Sequence, residues 1–163
     1  WNANLYPAIK KHMDPSRGSN FYDPSTRPVV ITRFSEVYLV GAEAYLQSGN
    51  KAKAAELLNV VRQRAAYRKT NTAAQNAAAA AAMTISADDV TVDFILDERS
   101  REFFGEWMRY QDLVRTKSLV RRLQAWNKET APYVKDFHML RPIPQSQIDR
   151  TVEGPKFPQN TGY

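Results

Sequence analysis

Glu98, Glu102, Glu106 and Arg109 stand at i, i+4, i+8 and i+11 in the run DDVTVDFILDERSREFFGEWMRYQDLVRTKS. If that run is one helix, all four side chains share a face. Carboxylates stacked in this way can take a metal or work as an acid/base pair, as in helical carboxylate bundles. They can also form the acidic half of an ion-pair lattice that fixes how helices dock. Arg99 and Arg101 lie among them, and Arg62 and Arg64 are placed to reach across from a preceding helix. The ligand inventory separates the two readings. A four-helix metal centre wants Glu-x-x-His pairs, and the histidines here, His12 and His138, have no Glu at that spacing. The expectation is therefore a structural network of Glu98, Arg99, Arg101, Glu102, Glu106 and Arg109, with no metal, no cofactor and no catalytic residue. Phe103, Trp107 and Tyr110 flank the stripe, and Trp107 and Tyr110 are spaced as core residues.

Other catalytic signatures are absent: the sequence has no GxSxG elbow, P-loop, GxGxxG or HExxH. His12 falls in a loop and is expected to face solvent, whereas His138, within Phe137-His138-Met139-Leu140, is expected to pack. Flat rings in polar loop settings are a different matter, because an aromatic face can stack on a sugar. Trp1, Tyr6, Tyr22, Trp126 and Tyr133 have that character and are the candidate ligand-binding residues.

The elements that would position these groups follow from periodicity. Residues 1–32 form a loop-rich lead-in, broken by Pro7, Pro15, Pro24 and Pro28, with turn signals at Asp14-Pro15 and Asp23-Pro24. Val29-Val30-Ile31 reads as an extended approach to a helix. Residues 33–66 read as two amphipathic helices joined at Gly49-Asn50. The first carries a stripe of Phe34, Val37, Tyr38, Ala42, Tyr45 and Leu46, the second Ala54, Leu57, Leu58, Val61 and Ala65. The short turn forces them antiparallel, with Ala42 and Ala54 allowing close approach, in the manner of a tetratricopeptide hairpin. One such hairpin cannot bury both of its faces. Residues 67–85 form an Ala-rich insert with strong helix propensity but little apolar surface to dock. Ser86 and Asp89 suggest a capping box opening residues 86–126, a helical stretch that Gly105 bends or breaks. Residues 127–163 form a Pro-rich tail, with a short helical turn at Ser146–Asp149. The fold class is all-α, with long irregular loops at both ends.

At 163 residues the chain is read as one domain, large enough to bury a core. Its 43% hydrophobic and 25% charged content is ordinary for a globular protein, and no apolar run approaches the roughly 20 residues of a membrane span. Cysteine is absent, which excludes disulfides and thiolate chemistry. The net charge is +6, but the 23 basic residues are scattered among 17 acidic ones, in no run longer than a pair, so no nucleic-acid surface is expected. The chain opens at Trp1 without an initiator Met or a leader, and is expected to be a mature or truncated piece of something longer.

Four blocks resemble the C-terminal region of SusD/RagB-family proteins: RFSEVYLVGAEAYLQSGN with KAAELLNVVRQRA, ILDERSREFFGEWMRYQDLVRT, HMLRPIPQSQID, and the terminal QNTGY. They occur in the family's order and cover roughly Pro28 to Tyr163. The resemblance implies an α-helical scaffold of tetratricopeptide-type hairpins carrying long loops. It implies a surface-exposed outer-membrane lipoprotein, tethered through an N-terminal lipid anchor absent from this chain. Such a protein captures oligosaccharide without catalysis and delivers it to a partner SusC-like TonB-dependent transporter. The Ala-rich insert has no counterpart in the family pattern, and no glycan-contact residue carries over position by position. Two other functions compete. A helical-repeat interaction module would need about three stacked repeats, and one is visible. A carboxylate hydrolase would need Glu98 and Glu102 free to react.

Overall fold

The computed structural model describes residues 9–18, 22–155 and 157–163. Among them the chain is all-helical, with seven α-helices and no strand. It forms two compact units, Trp1–Trp107 and Met108–Tyr163.

In the first unit, a 3-10 turn at Lys10–His12 precedes α1 (Phe34–Gln47), α2 (Lys51–Ala66), α3 (Ala73–Met83) and α4 (Val92–Glu102). The hairpin between α1 and α2 is closed by a Schellman turn. Asn50 N–H donates to Tyr45 O at 2.8 Å and Gly49 N–H to Leu46 O at 3.0 Å, which requires a left-handed residue at Gly49, where φ is 83°. The Asn50 side chain then caps α2 by accepting from Lys53 N–H at 3.0 Å. Ala42 and Ala54 are fully buried between the two helices, as their size suggested. Gly41 is equally constrained, because a Cβ there would lie 2.9 Å from Leu57 Cδ1.

The buried stripe of α1 differs from the expected one. It runs through Leu39, Ala42 and Leu46, with Tyr38 at its margin, while Phe34, Val37 and Tyr45 are exposed. On α2 the core residues are Ala54, Ala55, Leu58 and Val61, and Ala65 faces solvent. Val90, Ile95 and Phe103 complete this core from the α4 side.

The Ala-rich insert is an ordered helix. Thr72 and Gln75 form a reciprocal capping box at its start, and α3 packs along α2 without burying any of its own residues. The strand-like link back to the core is pinned by Asn59, whose side chain bonds both the N–H and the C=O of Ile85 at 2.9 Å. Ser86 does not start α4. Its N–H and hydroxyl donate to Asp89 and close a turn, and the helix begins at Val92, capped by Thr91. The expected long helix also stops at Phe103 and turns through Gly105 at φ 79°.

The second unit comprises α5 (Arg109–Arg115), α6 (Leu119–Trp126), a 3-10 turn at Asp136–Met139 and α7 (Gln145–Arg150), which follows Pro144. Leu113, Leu119 and Val134 are its buried apolar residues. Lys117 sits at φ 53° in a second Schellman turn, with Ser118 N–H donating to Leu113 O and Lys117 N–H to Val114 O.

Candidate functional site

The charged face of α4 is closed by cations from three directions. Arg62 of α2 donates to Glu98 Oε2 at 2.6 Å, and Arg101 reaches the same oxygen at 2.8 Å. Arg64 Nη2 lies 2.7 Å from both oxygens of Glu102. Arg33, just before α1, donates to Glu102 Oε1 at 2.6 Å and spans Glu106 with Nη2 at 2.9 Å and Nε at 3.3 Å. Lys11 pairs with Glu106 and donates to Glu102 O at 2.8 Å. Arg99, almost fully buried, crosses to Glu36 of α1 at 2.8 Å. The guanidiniums also lie over rings: Arg33 and Arg99 over Phe103, Arg62 and Arg101 over Phe94.

The electrostatics agree with this geometry. Burial alone would raise the Glu106 carboxyl, but bonds from Lys11 and Arg33 outweigh it and hold Glu106 below the ordinary carboxylate range. Burial would likewise lower Arg33, and its bonds to Glu106 and Glu102 hold it above its ordinary value. Each carboxylate oxygen of Glu102 and Glu106 accepts from a cation. A carboxylate engaged in this way keeps few lone-pair sites for any donor other than its cations. Among the described residues, no three His, Asp or Glu side chains stand together as a metal site.

The break after Glu102 places Arg109 at the start of α5, in the second unit, and puts Glu106 in the intervening turn. The same break moves Trp107 out of the core position that continuous helical spacing assigned to it: its side chain is 90% exposed.

The candidate stacking rings fall in different places. Trp1 and Tyr6 lie outside the described residues, and Tyr22 is exposed in the lead-in loop. Trp126 ends α6 and is 80% exposed, and Tyr133 is 74% exposed just beyond the turn that follows. That turn is built by Asn127, whose side chain accepts from Thr130 N–H at 3.0 Å and whose carbonyl accepts from Ala131 N–H at 2.8 Å. A short, hydrogen-bonded turn therefore carries an open ring at each end.

The tail is clasped to the segment before α7. Gln159 bonds the N–H of Ile143 at 2.7 Å and its C=O at 2.8 Å, as a neighbouring strand would. Asn160 donates to Arg141 O at 2.8 Å, and the Tyr163 hydroxyl to Leu140 O at 2.7 Å. The Tyr163 ring meets Phe137 edge-on at 5.0 Å, and Arg141 lies over Tyr110 at 4.3 Å. A shallow depression of about 510 Å³ lies along this clasp, lined in part by Phe137, Met139 and Leu140. His138 stacks on Phe137 at 4.2 Å, and His12 contacts Gly105 O at 3.0 Å.

A family model described as the SusD family matches residues 2–163. The chain belongs to the SusD family. SusD-like protein P38 of Formosa agariphila is 29% identical over 135 residues, which is 83% of this chain and 24% of that protein. The chain thus spans about a quarter of the length of the curated relative it matches. No solved structure matches it. In this SusD-family chain, three of the four recognised blocks have a visible bracing role. The hairpin block forms α1 and α2, the acidic block joins α4 to both, and the terminal QNTGY fastens the RPIP segment. Lys11, Arg33 and Glu36, all central to the lattice, were not singled out from sequence. Their partners lie 63 to 95 residues away, and no spacing rule links them. Among the described residues, no helix is long and apolar enough to cross a membrane.

Proposed function

We propose that this chain is the C-terminal, mainly scaffolding part of a larger SusD-like lipoprotein on the outer-membrane surface. The intact protein captures oligosaccharide without catalysis and hands it to a SusC-like TonB-dependent transporter. Membership of the SusD family supports the glycan-uptake role. The observation that carries the scaffold reading is the engagement of Glu98 Oε2 by Arg62 and Arg101 and of both oxygens of Glu102 and Glu106 by Arg64, Arg33 and Lys11. Groups so engaged fix helices in place and are poorly suited to acid/base chemistry.

Within this chain, Trp126 and Tyr133 are the rings best placed to stack on a sugar, since both are open and flank a hydrogen-bonded turn. Affinity electrophoresis of the intact protein against a panel of polysaccharides tests the reading. Retardation by at least one neutral polysaccharide is expected, weakened by Trp126→Ala together with Tyr133→Ala. Absence of retardation across the panel would contradict glycan capture, and retardation untouched by the double substitution would remove these rings from the site.

A further inference from the structure

Segments 136–140 and 158–161 of the second unit flank the depression of about 510 Å³ beside the clasp. Its size falls within the roughly 300–1,000 Å³ of small-molecule sites. Phe137, Met139 and Leu140 give it an apolar lining, and Asp136, Asn160 and Thr161 a polar one. Among the described residues, nothing donates to the Asp136 carboxylate, to Asn160 Oδ1 or to the Thr161 hydroxyl. The walls themselves are already fixed. Gln159 holds both backbone groups of Ile143, Asn160 Nδ2 donates to Arg141 O at 2.8 Å, and the Tyr163 hydroxyl donates to Leu140 O at 2.7 Å. A ligand therefore meets preset acceptors and little has to be reordered to bind it.

We propose that this depression is a sugar subsite, which takes one pyranose ring of a neutral oligosaccharide. Hydroxyls of the ring donate to Asp136 and Asn160, and its C–H face lies on Met139 and Leu140. The chemistry of the lining selects that class. Free acceptors call for a ligand rich in donors, and a sugar hydroxyl is one. A purely apolar ligand would strand the Asp136 charge out of water. An acidic sugar would meet that charge, and Asp136 is the charged residue among the described lining residues. A cationic ligand is disfavoured by the chain's net charge of +6. Asp136 also follows the open Tyr133 ring by three residues, so their Cα atoms lie at most about 11 Å apart. A short oligosaccharide can engage the ring and the depression together. The subsite presupposes glycan capture by the intact protein, and its test separates the two.

Methionine methyl groups of the intact protein are labelled with ¹³C, and the Met139 signal is assigned by its loss in Met139→Leu. Maltotriose, cellotriose, xylotriose and laminaritriose are titrated in, with trigalacturonic acid as the acidic comparison. The Met139 signal is expected to shift with at least one neutral trisaccharide and to stay put with the acidic one. Asp136→Ala should weaken that binding at least about 10-fold, and Thr161→Val several-fold, both with the parent's melting temperature. A Met139 signal unmoved by every neutral trisaccharide would overturn the subsite. So would equal affinity in the parent and both variants, or an equal response to trigalacturonic acid. Retardation by polysaccharide in the same protein then reads glycan capture separately. Retardation with a silent Met139 removes the subsite alone, whereas loss of both removes the subsite and the capture reading together.

Discussion

Arg62 and Glu98 meet at 2.6 Å across the gap between α2 and α4, and the Glu98 carboxylate is almost entirely buried. Arg101 shares the same oxygen, and Arg62 also lies over the Phe94 ring. The contact fixes the angle at which α4 settles on the hairpin, because a guanidinium satisfies a carboxylate only in a narrow range of orientations. Its neighbours, Arg99 with Glu36 and Arg33 with Glu102, repeat the device toward α1 and the lead-in.

Asp14 organises the lead-in in the same currency. Its carboxylate accepts from the Ser25 hydroxyl at 2.7 Å and from the backbone N–H of Ser16 at 2.9 Å, and these bonds pull its pKa from 3.8 down to about 2. The ionised form is the one the fold favours, so its contribution is complete above the ordinary value and is lost as pH falls through about 2. Carboxyl carbon chemical shifts followed through an acid titration should place the Asp14 midpoint near 2. A midpoint at its ordinary value would show that the loop bonds do not form in solution.

Lys117 holds φ 53° at the end of α5, a conformation that strains any residue with a Cβ. Lys117→Gly should relieve that strain and raise the unfolding free energy by about 0.5–1 kcal/mol, read from urea denaturation. A decrease would mean that contacts of the lysine side chain outweigh the backbone term.

Gly162 occupies φ 105°, and a Cβ added there would run into the Phe137 ring. Gly162→Ala should therefore loosen the clasp between QNTGY and the Leu140–Ile143 segment, with a loss of about 1–3 kcal/mol. Hydrogen exchange at the Ile143 amide, which Gln159 protects, reads the effect locally. Unchanged exchange would place the clasp outside the stabilising contacts.

The hairpin was legible because two helical periods flank a Gly-Asn pair with the chemistry of a Schellman turn. The orientation of α1 was not. Its apolar residues surround most of the helix, so periodicity alone could not choose between the Leu39 side and the Phe34 side. Trp107 was misplaced by the assumption that helical phase continues past Gly105, where the helix has already ended. The acidic half of the lattice was readable from i, i+4 spacing, whereas Lys11, Arg33 and Glu36 reach it only through tertiary folding. The Ala-rich insert was ambiguous because propensity favoured a helix while nothing in it promised a docking face; capping by Thr72 and contact with α2 decide the outcome.

The claim that the acidic stripe braces helices, and does not act on a substrate, is tested most directly by Glu98→Gln in the intact protein. The unfolding free energy and the retardation by polysaccharide are measured side by side. Removing the buried negative charge leaves Arg62 and Arg101 without their counterion, so a loss of about 3–5 kcal/mol is expected, with binding by the remaining folded protein unchanged. Full stability combined with abolished binding or turnover would contradict it.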